Sequence, residues 1–449
     1  MSGLKSAAES RSLRLYLFTV LYFVQGIPSG FFLISLPGWF AQHGLTKAEI
    51  GKFIAIVTLP WAFKFIFAPL MDKFHFLKMG RRRPWIISTQ LGIFVCTLLM
   101  ALVPDPIRNL NTIALYGFLV NLFSSIQDLA VDGMAVDILP KEEQAKVQGF
   151  MIGGQALGKT AASAGGSLIL IAWGYPVFVI LTGIVAGVGM LFPLLVRERP
   201  GESLLPWTAG RPSPEALSLK IDRWGTLLKG LLKAFLVPSS VILVLALFIH
   251  RIPVGITRTI YPVVTVQELG WTNPQYSQLL GFATLLSALV AMFIGMVLVD
   301  KIGRMTTIFT TFASVALVFI ASGYLTAWWP QRWFMSASAM SAEVLIVLSN
   351  VAFYAIGMQL CWKKVAATQF ALYMALNNLG VTAGAWLTSA LEKHLSVPQF
   401  FYLAAFFSVV TIVIMMFANV RRDEARIATF DAPENQRKQP EGAASHLAT

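Results

Sequence analysis

Charge is scarce in this chain. Asp, Glu, Lys and Arg make up 13% of its 449 residues, while 56% are hydrophobic. The surface of a soluble domain is roughly a quarter to a third charged, so this composition excludes a soluble fold of the same length. Cysteine is scarcer still. Cys96 and Cys361 both fall inside apolar stretches, which speaks against a disulfide framework and against a metal site. A small-residue cleavage site behind a short apolar core is also missing at the N-terminus. The first apolar run, 15–40, is too long for such a core and reads as a membrane span.

What the chain has instead is long apolar runs. A membrane-spanning helix needs about 20 consecutive apolar residues. Twelve such runs occur, at 15–40, 50–71, 84–103, 111–138, 147–173, 177–196, 237–266, 276–299, 306–327, 337–361, 368–391 and 399–420. Glycine and proline inside them, such as Gly26, Pro28 and Gly30, are ordinary in membrane helices, where neighbours re-satisfy the backbone. The net charge of +13 is better explained by the loops than by a nucleic-acid partner. Of the 35 Lys and Arg residues, 26 lie in the termini and one alternating set of loops, 4 in the opposite set, and 5 within or at the ends of runs. Positive loops stay on the cytoplasmic side. The expectation is an all-α membrane protein of twelve transmembrane helices with both termini cytoplasmic.

The longest loop follows the sixth run and sets the domain organisation: a six-helix half at 1–196, a linker at 197–235, a second six-helix half at 236–420, and a polar tail at 421–449 that is expected to be disordered. The linker carries LSLKIDRWGTLLKGLLKAF, a basic amphipathic piece suited to the inner leaflet. The halves echo each other. MDKF with Asp72 returns as VDKIGR with Asp300, an offset of 300 − 72 = 228. Gln148 and Gly158 return as Gln369 and Gly380, at offsets of 369 − 148 = 221 and 380 − 158 = 222. Two six-span halves joined by a central loop indicate internal duplication, the plan of major facilitator transporters.

An acidic residue followed by a Gly-Arg cluster after spans two and eight is the mark of that superfamily. The first copy here is longer, with FHFLKM between Asp72-Lys73 and Gly80-Arg81-Arg82-Arg83. With KFIFAPLMD before it, PWIISTQ after it and QDLAVDGMAVDIL in span four, it resembles the AmpG-type muropeptide permeases and their relatives, the acetyl-CoA transporters. The resemblance implies a major facilitator fold, alternating access, proton-driven uptake in the muropeptide branch, and a bacterial inner-membrane location. It leaves the solute open, because acetyl-CoA and siderophore carriers share the same features.

Charges at bilayer depth mark candidate sites, since each costs roughly 2.5–3.5 kcal/mol to insert. Asp128 and Asp132 share a helix face. Asp128 lies about 15 Å from the cytoplasmic end of its span, near the midplane, where a carboxylate can serve as a proton carrier or as one side of a structural ion pair. Gln148, Gln155, Lys159 and Ser163 form one stripe on span five. Lys159 lies at a depth similar to that of Asp128, and a salt bridge between them is expected. Lys64, deep in span two, either faces the cavity or snorkels. Arg251 and Arg258, seven residues apart, can bind carboxylate or phosphate through paired hydrogen bonds; adjacent His250 points elsewhere. Asn377, Asn378 and Gln25 suit a sugar or amide, or packing between helices. Asp137 reads as a structural residue near the surface. Asp72, Arg81, Arg82, Arg83, Asp300 and Arg304 are expected to form a charge latch between the halves.

The deep charges counted here, four cations against Asp128 and Asp132, suit an anionic solute. The leading expectation is a proton-coupled importer of anhydro-muropeptides, working as a monomer without cofactor or metal. The alternatives are an acetyl-CoA or siderophore transporter, a polytopic membrane enzyme, and a sensor that kept the transporter fold without transport. An enzyme should show a His–Asp or acidic cluster near a membrane surface, and no convincing one is present.

Overall fold

The structure is a computed structural model that describes residues 6–74, 76–218, 235–291, 301–362 and 366–431. Among them, every regular element is a helix and no strand occurs. Helix α1 (Arg11–Gln42) passes through a π-helical turn at Phe31–Ser35. Helix α2 (Lys47–Phe63) ends in a 3-10 turn at Lys64–Ile66 and leads into α3 (Phe67–Lys73). Next come α4 (Arg83–Ala101), α5 (Leu110–Ile138) and α6 (Lys141–Thr160), which runs through a second π-helical turn, Ala161–Gly165, into α7 (Gly166–Leu195). Beyond the short α8 (Pro214–Ser218) lie α9 (Pro238–Ile249), α10 (Ile252–Pro262) and α11 (Asn273–Val290). The chain continues through α12 (Arg304–Tyr324), α13 (Arg332–Gln359), α14 (Ala366–Leu391), α15 (Val397–Met416) and α16 (Val420–Ala428).

Eight helical stretches among the described residues are long and apolar enough to cross a membrane. Several of the twelve expected runs are merged or divided. Two form one stretch, Gly149–Leu195, bent at Gly174, whose φ of 80° only glycine adopts readily and which is followed by Pro176. The run 50–71 is divided by the 3-10 turn at Lys64, four residues beyond Pro60, whose ring removes a backbone donor. The run 276–299 extends past the described residues.

Two local features recur at about the offset that the sequence echoes suggest. At the start of α2, Thr46 Oγ1 accepts from Glu49 N at 3.2 Å and Glu49 accepts from Thr46 N at 2.9 Å. At the start of α11, Thr272 and Gln275 form the same reciprocal cap, 272 − 46 = 226 positions later. Gly158 and Gly380 also make similar contacts. A Cβ on Gly158 would come within 2.0 Å of the Phe23 carbonyl of α1, and a Cβ on Gly380 within 2.1 Å of the Phe248 carbonyl of α9. Only glycine permits such backbone contact between helices.

The two ends of the bundle are held differently. At the end away from the termini, one apolar cluster joins both halves and includes Phe40, Phe53 and Val57 with Tyr261, Tyr276 and Ala385. Gln267 donates to the carbonyls of Ala41 and Leu45 at 2.9 and 2.7 Å, Ser389 donates to the Ala48 carbonyl at 2.8 Å, and Thr58 meets Thr382 at 2.8 Å. At the end that carries the termini, the buried apolar residues form two separate clusters. One, with Leu21, Ile86 and Met134, belongs to the first half; the other, with Leu247, Phe312 and Phe353, belongs to the second.

The tail differs from its expected disorder. It begins as α16, with Asn419 accepting from Arg422 N at 3.2 Å, Val420 and Ile427 buried, and Asp423 accepting from Ser239 N at the start of α9 at 2.7 Å. Residues 432–449, Asp300 and most of the amphipathic linker piece, 219–234, lie outside the described residues, as do the side chains of Asp72 and Gln148.

Candidate functional site

Asp128 lies at the centre of a polar cluster buried in the first half. Its Oδ2 accepts from Lys64 Nζ at 2.6 Å and its Oδ1 from Gln25 Nε2 at 2.7 Å. The 3-10 turn that interrupts α2 places Lys64 there. Gln25, on α1, accepts in turn from Gln155 Nε2 of α6 at 3.1 Å. One helical turn beyond Asp128, Asp132 accepts a short hydrogen bond from the hydroxyl of Tyr22. Lys64 also stands 5.6 Å over the Trp61 ring, and Trp61 Nε1 donates to Asn121 at 2.9 Å. Four helical segments thus converge on one buried carboxylate.

A second cluster lies mainly in the other half. Pro253 removes a backbone donor, and the helix breaks at His250–Arg251 between α9 and α10. Arg258 Nη2 of α10 donates to both carboxylate oxygens of Glu343 of α13, at 2.9 and 3.0 Å. Lys159 of α6 interacts electrostatically with Arg258, Glu343 and Arg251. Tyr354 of α13 lies near enough to Arg251 and Lys64 to feel the charge of both. Its hydroxyl accepts a long contact of 3.5 Å from Asn377 Nδ2.

The expected salt bridge between Lys159 and Asp128 is absent. Lys64 and Gln25 occupy the two Asp128 oxygens, and Lys159 belongs to the second cluster. Ser163 does not continue the stripe into a cavity. Its side chain is buried at a tight contact with α11, where a Cβ on Gly281 would come within 2.5 Å of Ser163 Oγ. His250 turns away and bonds to the Ala246 carbonyl and Asn350 Oδ1, both at 3.1 Å. The deep-charge count also needs correction. Glu343 raises the carboxylates from two to three, and Tyr22 and Tyr354 join the site. Glu343 was detectable by the same rule that marks Asp128, since it is the one acidic residue in the 28 residues of α13. The tyrosines carried no such signal, because aromatic residues are common throughout these spans.

The described latch residues Arg81, Arg82, Arg83 and Arg304 lie outside the two buried clusters. Arg83 donates to the carbonyls of Pro193, Leu194, Ser203 and Leu204 at 2.5–3.0 Å, and to that of Met79 at 3.3 Å. It therefore clamps the linker to its own half and does not bridge the two halves. Arg81 and Arg82 pair with Asp137 at 3.3 Å, and the backbone amides of Arg82 and Arg83 donate to Glu198 at 2.9 and 3.1 Å. Glu198 also pairs with Arg199 at 2.8 Å. Next to it, burial and the charge of Glu198 push the carboxyl of Glu202 up to about 8. Arg304 donates to Gln359, which donates to Glu424 of α16. Among the described residues, no group of three or more His, Cys, Asp or Glu is arranged to hold a metal ion.

The family model of the Major Facilitator Superfamily matches residues 18–385. The anhydromuropeptide permease of Escherichia coli K12 is 23% identical over 374 residues, covering 80% of this chain and 70% of the permease. A Rickettsia conorii protein named as a transporter, AmpG 4, is 23% identical over 92% of this chain and 98% of its own length. A Haemophilus influenzae protein without an assigned function is 31% identical, with 32% of each chain aligned. Among solved structures, the Escherichia coli xylose transporter XylE in its inward open conformation superposes with a TM-score of 0.68 at 11% identity, covering 92% of this chain and 99% of that one.

Proposed function

The chain belongs to the major facilitator superfamily, and on that premise we propose that it imports anionic cell-wall muropeptides, anhydro-disaccharide peptides, together with protons. The observation that carries this reading is the pair of buried charged clusters. One offers two carboxylates, Asp128 and Asp132, held by Lys64 and Tyr22. The other gathers Lys159, Arg251 and Arg258 around the single carboxylate of Glu343. Carboxylates that exchange partners can take up and release a proton. A surplus of buried cations suits a solute with several carboxylates, and the name of the Escherichia coli relative points to muropeptides.

In this reading Asp128 and Asp132 carry the proton, and Lys64 leaves Asp128 when the solute engages it. Gln155, Lys159, Arg251 and Arg258 hold the solute, the arginines through paired hydrogen bonds to carboxylate. Asp72, the Arg81–Arg83 clamp and their counterparts Asp300 and Arg304 steady the cytoplasmic ends while the halves rock. The chain spans the bacterial inner membrane twelve times as a monomer, with both termini in the cytoplasm. The apolar core shared at one end and split at the other then fits an inward-facing state.

Uptake of labelled anhydro-disaccharide peptide into right-side-out vesicles tests this reading. Protonophore-sensitive uptake that is lost in an Asp128→Asn variant is expected. Uptake indifferent to the protonophore removes the proton coupling. No uptake by correctly inserted protein removes the muropeptide, and acetyl-CoA and siderophore uptake in the same vesicles then tests the alternative solutes.

A further inference from the structure

The Arg258–Glu343 pair is incomplete as an ion pair. An arginine that recognises a carboxylate usually does so with two parallel bonds from two nitrogens. Here Nη2 alone serves both Glu343 oxygens, while Nη1 of Arg258 is buried without a hydrogen-bond partner, as is Nε of Arg251. Arg258 itself is only 7% exposed. Leaving a buried charged donor unpaired is costly, so a purely structural pair is a poor account of the arrangement. The groups facing Glu343 are Arg258, Arg251 and Tyr261 from the α9–α10 region, Lys159 from α6 and Tyr276 from α11. Three cations face one carboxylate, a local balance of 3 − 1 = +2. The cavity beside the pair, lined by Thr257, Arg258, Tyr261, Ala342 and Glu343 among others, holds about 20 Å³, room for about one water. With so little room beside the pair, an anionic group of a solute competes with the Glu343 carboxylate for Arg258.

We propose that Glu343 is a built-in competitor for the anion site: its carboxylate occupies Arg258 in place of a solute carboxylate, and the solute's anionic group displaces it. This deepens the reading of the chain as an anion transporter and rests on it. The competition lowers the apparent affinity by the fraction of time that Arg258 is occupied and keeps the site from trapping its solute.

The test uses the full chain in lipid nanodiscs, as wild type, Glu343→Gln, Glu343→Asp and the double variant Glu343→Gln/Arg258→Gln. Thermal stability is read in sulfate and in chloride at equal ionic strength, and binding of an anhydro-disaccharide peptide is read by calorimetry. Sulfate is expected to raise the melting temperature of Glu343→Gln by more than that of wild type, and the double variant should lose this increment. Glu343→Gln should bind the peptide about tenfold more tightly if Glu343 occupies Arg258 nine-tenths of the time, while Glu343→Asp stays near wild type. No sulfate increment, a peptide that binds wild type at least as tightly as it binds Glu343→Gln, or a Glu343→Gln protein that folds in neither salt overturns the proposal. If no protein binds the peptide but the sulfate increment is present, the muropeptide reading fails and the displacement stands.

Discussion

Lys64 and Asp128 form an ion pair of 2.6 Å with both side chains 9% exposed, and the second Asp128 oxygen is taken by Gln25. Removing one member of a buried pair strands the other charge and costs roughly 3–5 kcal/mol, whereas removing both costs far less. Lys64→Met should therefore lower the melting temperature sharply, and Lys64→Met/Asp128→Asn should recover most of the loss. Losses that simply add across the two sites would show that the contact carries no coupling energy.

Tight backbone contact at Gly158 and at Gly380 gives a second expectation. A single added methyl must push α1 away from α6 in one case and α9 away from α14 in the other, because the obstacle is a carbonyl oxygen within 2.0 and 2.1 Å. Gly158→Ala and Gly380→Ala should each destabilise the protein by about 1–3 kcal/mol, read as reduced thermal stability in detergent. Melting temperatures unchanged from wild type would mean that the helices can separate freely.

Glu202 makes stability depend on pH. Its folded carboxyl titrates near 8, above the usual 4.5. Between these values the unfolded chain has lost the proton and the folded chain still holds it, so the folded state binds more protons. Stability therefore falls as pH rises from about 4.5 to about 8 and levels off above that. Glu202→Gln cannot ionise and should flatten this part of the curve. The difference between the pH–melting curves of wild type and variant isolates the effect from other titrating groups. A difference that stays constant across the window would rule Glu202 out as its source.

Gln267 should control the end of the bundle away from the termini. Its amide ties α1 and the following turn to the second half through the Ala41 and Leu45 carbonyls. A net contribution of about 1 kcal/mol corresponds to about a fivefold population change. Spin labels at positions 42 and 270 should show a longer-distance population that grows by about that factor in Gln267→Leu. An unchanged distance distribution would mean that the shared apolar core alone closes this end.

The family was legible because its motif is local. MDKF, GRRR and QDLAVDG are contiguous strings, and membership of the superfamily follows from a match over residues 18–385. Depth along a helix was legible too, since charges within apolar runs identify themselves, and Asp128, Lys64, Lys159, Arg251 and Arg258 all lie in the two clusters. Their partners were not legible. Lys159 and Asp128 were expected at a similar depth, yet Lys64 and Gln25 take the two Asp128 oxygens and Lys159 interacts with Arg258, Glu343 and Arg251. Arg83 looked like part of a latch between halves because its motif recurs, but it is surrounded by three backbone carbonyls of its own half and two of the linker.

By itself, the sequence determined that this is a multi-pass membrane protein, because solvation by lipid acts on each apolar run separately and leaves its mark residue by residue. Only the tertiary structure decided that Asp128 pairs with Lys64 and that Glu343 holds Arg258. It also decided that the halves share an apolar core at one end and part at the other. Those outcomes depend on where a proline breaks a helix and where a glycine lets two backbones touch. They also depend on which of several buried charges reaches its counter-ion first in space, and no spacing along one chain encodes that distance.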